Sequence, residues 1–178
     1  MKRLISLAVA LILLIAGLVT VNAQTDGGGL GIGPYQEVGE ERRSWFIYKD
    51  LEPGDVIEDQ ILISNSTNST QRALLYTVDA ATTPDGGYAP KADDSPRVDV
   101  STWVTIDEPE VTLKPGQKKV VDFTMRVPER VGVGDHFGTI IIKGKEPEVR
   151  EDGEELGLEG NYNLVIRVGA RVYATIIG

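Results

Sequence analysis

Apolar and polar residues alternate along most of this chain with a period of two, and this pattern limits the fold more than any other feature of the sequence. The clearest run lies at residues 121–127, where four apolar side chains share one face: Val121, Phe123, Met125 and Val127. A longer run covers 164–176, with Arg167, Arg171 and Thr175 on the face opposite the apolar residues. Period two is typical of a half-buried strand, and no window after residue 23 has a helical period, so the pattern predicts an all-β protein.

Turn sequences separate these runs and set the number of strands. Two turns place Pro before Gly, at Pro53-Gly54 and Pro115-Gly116. This pair favours a type II turn, because Pro fixes φ and Gly accepts a positive φ. The pattern predicts strands near 44–51, 56–65, 72–80, 103–106, 111–113, 118–127, 136–145 and 162–177. Seven or eight short strands indicate an immunoglobulin-like Greek-key β-sandwich over residues 35–178, with a closed barrel as the alternative. The acidic stretch 147–160 has few large apolar residues and is predicted to be a long connection.

The N-terminus has the pattern of a secretory signal. A basic pair precedes an apolar run at residues 4–21, and Val21-Asn22-Ala23 supplies small residues at positions −3 and −1 of a cleavage site. This pattern predicts a signal helix at 1–23, a Gly-rich leader at 24–34 and an extracytoplasmic location, either secreted or associated with the cell surface. The apolar run also reaches the length of a membrane span, so an uncleaved anchor is the alternative.

The charge and the cysteine count exclude several classes of partner. Removing Lys2 and Arg3 with the signal takes the net charge from −9 to −11, and this acidic balance argues against nucleic acid and anionic lipid surfaces. A membrane contact is expected only through an uncleaved signal or a C-terminal anchor beyond residue 178. With zero cysteines, the chain has neither disulfides nor zinc-thiolate or cysteine-nucleophile chemistry, and the absence favours a bacterial exported protein.

Catalytic and metal-binding patterns are weak. The single histidine, His136, lies at the start of a predicted strand, and one histidine cannot form a histidine cluster, so a packing or turn role is favoured. Carboxylates at Asp93, Asp94 and Asp99, and again at Asp107, Glu108 and Glu110, leave a calcium site open as an alternative to solvated acidic loops. We therefore predict a protein that is not an enzyme, with no catalytic residue, cofactor or metal.

The aromatic residues are the best candidates for ligand contact, since a flat ring stacks on sugar faces or fills a partner's pocket. Those with binding potential are Trp45, Tyr48, Tyr88, Trp103 and Tyr162. Tyr88, in the loop 84–90, is the preferred surface contact. Trp103 is the second candidate, although its position before a short apolar run is more typical of a core residue of a sandwich.

Several segments occur in an order that resembles a known family. They are Leu51-Glu52-Pro53-Gly54, Ile63-Ser64-Asn65-Ser66, the stretch 79–88, Leu113-Lys114-Pro115-Gly116, Val127-Pro128 and the stretch 134–140. Over about residues 30–178, the chain resembles the N-terminal domain of bacterial WxL-interacting cell-surface proteins, a family described as a peptidoglycan-binding domain. The resemblance implies an immunoglobulin-like sandwich on the outer surface that binds wall polymer and helps to hold other surface proteins.

Two alternatives accompany this resemblance. Family members usually continue into a second domain and a C-terminal membrane helix, so both a fragment of an anchored protein and a free-standing version are open. A looser similarity to periplasmic pilus chaperones implies a structural, adhesive or chaperone-like sandwich that recruits another chain by adding a strand to its edge. In that case Arg42, Arg43 or Arg167 would have to anchor a client carboxylate.

Overall fold

The structure is a computed structural model, and it describes residues 29–41, 43–145 and 167–178. The predicted signal helix, residues 24–28 of the leader and the acidic connection at 147–160 lie outside these residues. The described chain forms ten strands and one short helix: β1 Leu30–Pro34, β2 Phe46–Leu51, β3 Val56–Asn65, β4 Gln71–Thr82, β5 Tyr88–Pro90, α1 Val100–Trp103, β6 Val104–Ile106, β7 Glu110–Leu113, β8 Lys118–Arg126, β9 Gly134–Gly144 and β10 Arg167–Ile176.

The strands form two sheets that pack face to face. The small sheet has the order β1-β3-β8-β6, and the large sheet has the order β2-β10-β9-β4-β5, with β7 also pairing with β4. Neighbouring strands are antiparallel except that β2 runs parallel to β10. The chain is therefore an immunoglobulin-like β-sandwich, as its alternation predicts, and the described strands form two separate sheets in place of a closed barrel.

The apolar face of each predicted strand forms the core between the sheets. In β8, Val121, Phe123 and Met125 are buried. The ring of Phe123 meets the ring of Phe46 edge to face at 5.2 Å between centroids, which joins β8 of the small sheet to β2 of the large one. Burial of one such side chain contributes about 1.5–3 kcal/mol. The period-two pattern thus gives the correct inward face.

Both Pro-Gly turns have the backbone that the sequence predicts. Gly54 has φ +91° and Gly116 has φ +70°, in the left-handed region that glycine adopts without a steric penalty. Each turn is closed by a backbone hydrogen bond, from Asp55 to the Glu52 carbonyl at 3.1 Å and from Gln117 to the Lys114 carbonyl at 3.0 Å. Each turn carries the chain from the large sheet to the small sheet, where β3 and β8 begin.

The predicted Gly-rich leader at 24–34 is wrong for its last five residues. Residues 30–34 form β1, which pairs with β3 from Leu30 opposite Asn65 to Pro34 opposite Ile61. A Cβ on Gly31 would lie 2.5 Å from the Ser64 hydroxyl oxygen, so this edge strand requires a residue of low strand propensity. The predicted strand count is also too low, because the three-residue strand β5 lies in what the sequence presents as a turn-rich loop.

Candidate functional site

The outer face of the large sheet carries the candidate site. In β10, Ala170, Val172 and Ala174 are buried, so the alternate residues Arg167, Gly169, Arg171 and Tyr173 face outward. Pairing with β9 places Tyr173 opposite Phe137, Arg171 opposite Thr139, and Arg167 opposite Lys143. Two arginines and two aromatic rings therefore share one surface.

Tyr88 is held over this face by its hydroxyl group. The short strand β5 pairs with the end of β4, with Tyr88 opposite Thr82. The Tyr88 hydroxyl donates to the Gly138 carbonyl and shares a hydrogen bond of 2.9 Å with the Thr139 hydroxyl. Burial raises the pKa of Tyr88, so the phenol stays protonated at neutral pH. The ring is a fixed part of the surface.

Arg171 lies between two aromatic rings. Its guanidinium carbon is 4.7 Å from the centroid of Trp45 and 4.8 Å from that of Tyr88, distances typical of cation–π contacts. The centroid of the Tyr88 ring also lies 5.5 Å from that of Tyr173, with the two ring planes tilted by 50°. We call Trp45, Arg171 and Tyr88 the aromatic–arginine stack. Trp45 keeps 38% of its surface exposed, so its ring offers a face to a ligand.

A small cavity opens beside the stack. Its volume is about 230 Å³, and its lining residues are Tyr88, Pro90, Thr139, Ile141, Arg167, Gly169 and Arg171. Thr139 and Ile141 lean across Gly169, because a Cβ there would lie 2.5 Å from Thr139 Cγ2 and 2.9 Å from Ile141 Cδ1. The absence of a side chain at Gly169 therefore keeps these two residues in place along the cavity.

Positive charge exceeds negative charge around the cavity. Asp93 accepts an ion pair from Arg167 at 2.9 Å and another from Lys143 at 3.2 Å. It also accepts a hydrogen bond of 2.8 Å from Tyr76, which, with the two cations, lowers the pKa of Asp93. Burial and this contact raise the pKa of Tyr76 to about 12. The carboxylate of Asp93 thus forms ion pairs with two cations, and Arg171 adds a third cation to this surface.

The small sheet has a cleft of the opposite sign. Its volume is about 580 Å³, and its charged lining residues are Glu37, Glu40, Arg43, Glu58, Asp59, Asp107 and Asp122. Arg43 forms an ion pair of 3.0 Å with Asp59. In the described ranges 29–41, 43–145 and 167–178, no group of three or more His, Cys, Asp or Glu side chains is arranged to hold a metal ion.

Trp103 is not a surface contact. It ends the short helix α1, is only 5% exposed and belongs to the core, so its place among the ligand-contact candidates is wrong. The strand predicted from residue 103 begins at Val104 instead, because Trp103 belongs to the helical turn α1 and is buried there. The Trp103 ring lies 4.9 Å from the ring of His136.

His136 has the turn role that the sequence favours. Its Nδ1 lies 2.8 Å from a carboxylate oxygen of Asp99, and its Nε2 lies 2.9 Å from the Gly132 carbonyl oxygen. Both ring nitrogens are therefore used in joining the loop before α1 to the turn between β8 and β9.

The sequence profile of the WxL-interacting protein peptidoglycan-binding domain matches residues 34–144. The chain belongs to this family. The match begins at the end of β1 and ends with β9, so it includes Trp45 and Tyr88, whereas Arg167 and Arg171 follow it. As the domain of a WxL-interacting protein, the chain has a role in binding at the cell wall and a location at the cell surface.

Solved structures similar to this WxL-interacting protein domain include a PapD-like domain and bacterial chaperone structures. The PapD-like domain 7 of human CEP192 is 13% identical, with a TM-score of 0.46, over 83% of this chain and 84% of that one. The Escherichia coli chaperone DraB is 12% identical, with a TM-score of 0.49, over 83% of this chain and 54% of that one. A chain of the Salmonella enterica complex of SafA pilin and SafB chaperone is 15% identical, with a TM-score of 0.48, over 83% of this chain and 54% of that one. This chain spans about half the length of both bacterial chains. A comparison with curated proteins finds no match.

Sequence reasoning found one member of the site in this WxL-interacting protein domain and missed its partners. Tyr88 lies at the cavity, but Trp45 was only one of five candidate aromatics, and Arg171 was not a candidate. The alternation at 164–176 placed Arg167 and Arg171 on the outer face, and that signal could have suggested a cationic surface. None of the described helices is long and apolar enough to cross a membrane.

Proposed function

We propose that this chain is an exported, non-catalytic module that binds peptidoglycan on the outer face of its large sheet. The observation that carries the proposal is the aromatic–arginine stack, in which Arg171 is fixed between Trp45 and Tyr88. Membership of a peptidoglycan-binding domain family supports peptidoglycan as the ligand. The signal pattern at 1–23 supports export.

The stack suits a glycan chain for two reasons. An exposed aromatic ring packs against the C–H face of a sugar, and polar groups at its edge bond to hydroxyl groups. The ring of Trp45 offers such a face, and the Arg171 guanidinium has N–H donors beside it. Because the stack and the Tyr88 hydrogen bonds hold these groups in place, little side-chain freedom is lost on binding.

The absence of catalysis is supported by the use of His136. A general base needs a free ring nitrogen, and both nitrogens of His136 face acceptors within the fold, at Asp99 and Gly132. The family is a binding domain, which agrees with a function in binding and not in catalysis.

Co-sedimentation with isolated peptidoglycan tests the proposal. The full chain should pellet with purified, protein-free sacculi, and Trp45→Ala should weaken binding about three- to tenfold, the value of one aromatic contact. Tyr35→Ala is the matched control, since Tyr35 lines the acidic cleft of the other sheet, and it should bind as the unchanged chain does. Failure of the full chain to pellet, or equal losses in both variants, would reject the proposal.

The second candidate is a module that recruits another surface protein by strand addition. One observation favours it: β2 pairs with β10 only from Val172 onward. The first half of β10, residues 167–171, is therefore not paired with β2. Cross-linking on the cell surface that recovers a protein partner, together with no binding to sacculi, would support this function over the first.

A further inference from the structure

The geometry points to Arg171 as the receptor for a carboxylate of the peptide stems of the wall polymer. This inference rests on the proposed function and adds the chemical group that the site selects. A glycan binder needs sugar contacts only. An arginine fixed between two rings, beside a cavity lined by a second arginine, adds recognition of an anion.

The guanidinium of Arg171 is fixed but not neutralised. Arg43 and Arg167 form ion pairs with Asp59 and Asp93, whereas no such pair is found for Arg171 within the described part of the chain. Among the described residues, its one hydrogen bond, from Nη1 to the Tyr173 hydroxyl, is long at 3.4 Å. Most of the five N–H donors of the guanidinium thus have no partner in the described part of the chain and can serve a ligand.

A carboxylate matches these donors in shape. Guanidinium and carboxylate groups are both planar, and two parallel N–H···O bonds join them in a bidentate pair. Stacking on Trp45 and Tyr88 restricts rotation of the guanidinium, so its N–H edge is already oriented when the ligand arrives. The wall polymer supplies both a sugar face and an anion, since its sugars can stack on Trp45 while its peptide stems carry carboxylates.

The charge of the surrounding surface favours the same ligand. Arg167 and Lys143 lie on this face and share the single carboxylate of Asp93. The chain as a whole has a net charge of −9, and the cleft on the other sheet is lined by six acidic residues and one arginine. An anionic polymer would be repelled there, and it is attracted to the large sheet.

The test combines carboxylate blocking with variants of Arg171. Sacculi freed of protein and of phosphate-bearing polymers are divided, and in one portion the stem carboxylates are converted to neutral amides with a carbodiimide and methylamine. The full chain is titrated with both portions, together with Arg171→Gln, Arg171→Lys and the control Arg126→Gln, whose arginine is exposed on the small sheet.

We expect the unchanged chain to bind untreated sacculi about tenfold more tightly than blocked ones, as for one charge-assisted bidentate pair. Arg171→Gln should bind both portions equally, at the lower level, and Arg126→Gln should behave as the unchanged chain. Arg171→Lys should recover only part of the preference, because an ammonium group cannot make the bidentate pair. Thermal unfolding of each variant shows whether the fold is intact.

Three results would overturn the inference. If the unchanged chain binds blocked and untreated sacculi equally, while Trp45→Ala still weakens binding, the chain binds peptidoglycan as proposed but does not recognise its stem carboxylates. If Arg171→Gln retains the preference for untreated sacculi, another residue receives the carboxylate. If binding requires the phosphate-bearing polymers that were removed, the anion is a phosphate. Absence of binding to any sacculi rejects the proposed function, and this inference with it.

Discussion

The carboxylate of Asp79 accepts a hydrogen bond of 2.9 Å from the backbone N–H of Ser101. It also accepts bonds from the backbone N–H groups of Val98 at 2.8 Å and Asp99 at 3.2 Å. Asp79 lies in β4, under the segment that leads to α1, and only 2% of it is exposed. One buried carboxylate on the large sheet thus fixes the course of the chain as it crosses to the small sheet.

Replacing Asp79 should therefore destabilise the protein strongly. In Asp79→Ala, the buried N–H of Ser101 and the partly buried N–H groups of Val98 and Asp99 lose their acceptor, and a buried unsatisfied donor costs about 1–3 kcal/mol. We expect the free energy of unfolding to fall by about 3 kcal/mol, as measured by urea denaturation. Asp94→Ala is the control, because Asp94 is exposed in the same loop, and it should change stability by less than about 0.5 kcal/mol. Similar effects of the two substitutions would contradict the role of Asp79.

The stabilisation from Asp79 should also depend on pH. Burial opposes its ionisation, but hydrogen bonds from Ser101, Val98 and Asp99 outweigh burial and lower its pKa. A carboxyl whose pKa is lower in the folded state stabilises the fold above its unfolded pKa of about 3.9, and this contribution is lost as the pH falls through the folded value. We expect the difference in unfolding free energy between the unchanged chain and Asp79→Asn to be constant near pH 7 and to shrink below about pH 4. A difference that does not change over that range would show that charge is unimportant at this position.

Gly169→Ala should disturb both stability and binding. The added Cβ would lie 2.5 Å from Thr139 Cγ2 and 2.9 Å from Ile141 Cδ1, so these side chains must move along the cavity. Overpacking of this kind costs about 1–3 kcal/mol, and we expect weaker binding to sacculi as well. The matched control is Gly33→Ala on β1, where a Cβ meets nothing within 4 Å. Adding Thr139→Ser to Gly169→Ala removes the closest methyl group and should restore part of the stability. A double variant no more stable than Gly169→Ala would point to a different cause.

Tyr88→Phe should separate the contribution of the Tyr88 hydroxyl group from that of the ring. The substitution removes the hydroxyl that bonds to the Gly138 carbonyl and the Thr139 hydroxyl, and it keeps the face that packs on Arg171. We expect a loss of about 1 kcal/mol in unfolding free energy and binding to sacculi within about twofold of the unchanged chain. Tyr88→Ala removes the ring and should weaken binding much further. Equal binding by the two variants would show that the ring does not contribute.

The sequence by itself determined eight of the ten described strands, their inward faces and the two Pro-Gly turns. The alternation at 121–127 was enough to place Val121, Phe123 and Met125 in the core, since residues two apart in a strand lie on one face. The Pro-Gly pairs were enough to give two turns with positive φ at Gly54 and Gly116, because this conformation depends on local sterics. The family was also readable, from segments spread over most of the chain.

Only the tertiary structure decided which strands are neighbours, and the site depends on that. Period two shows that Arg171 faces outward but not that β2 runs beside β10, which brings Trp45 to one side of the guanidinium. Nor does it show that β5 pairs with β4, which brings Tyr88 to the other side. The strands β1 and β5 were missed for the same reason, since Gly and Pro lower their strand propensity and they are ordered by pairing with β3 and β4. The sequence favoured a core position for Trp103, but it did not signal the short helix α1 on which Trp103 lies.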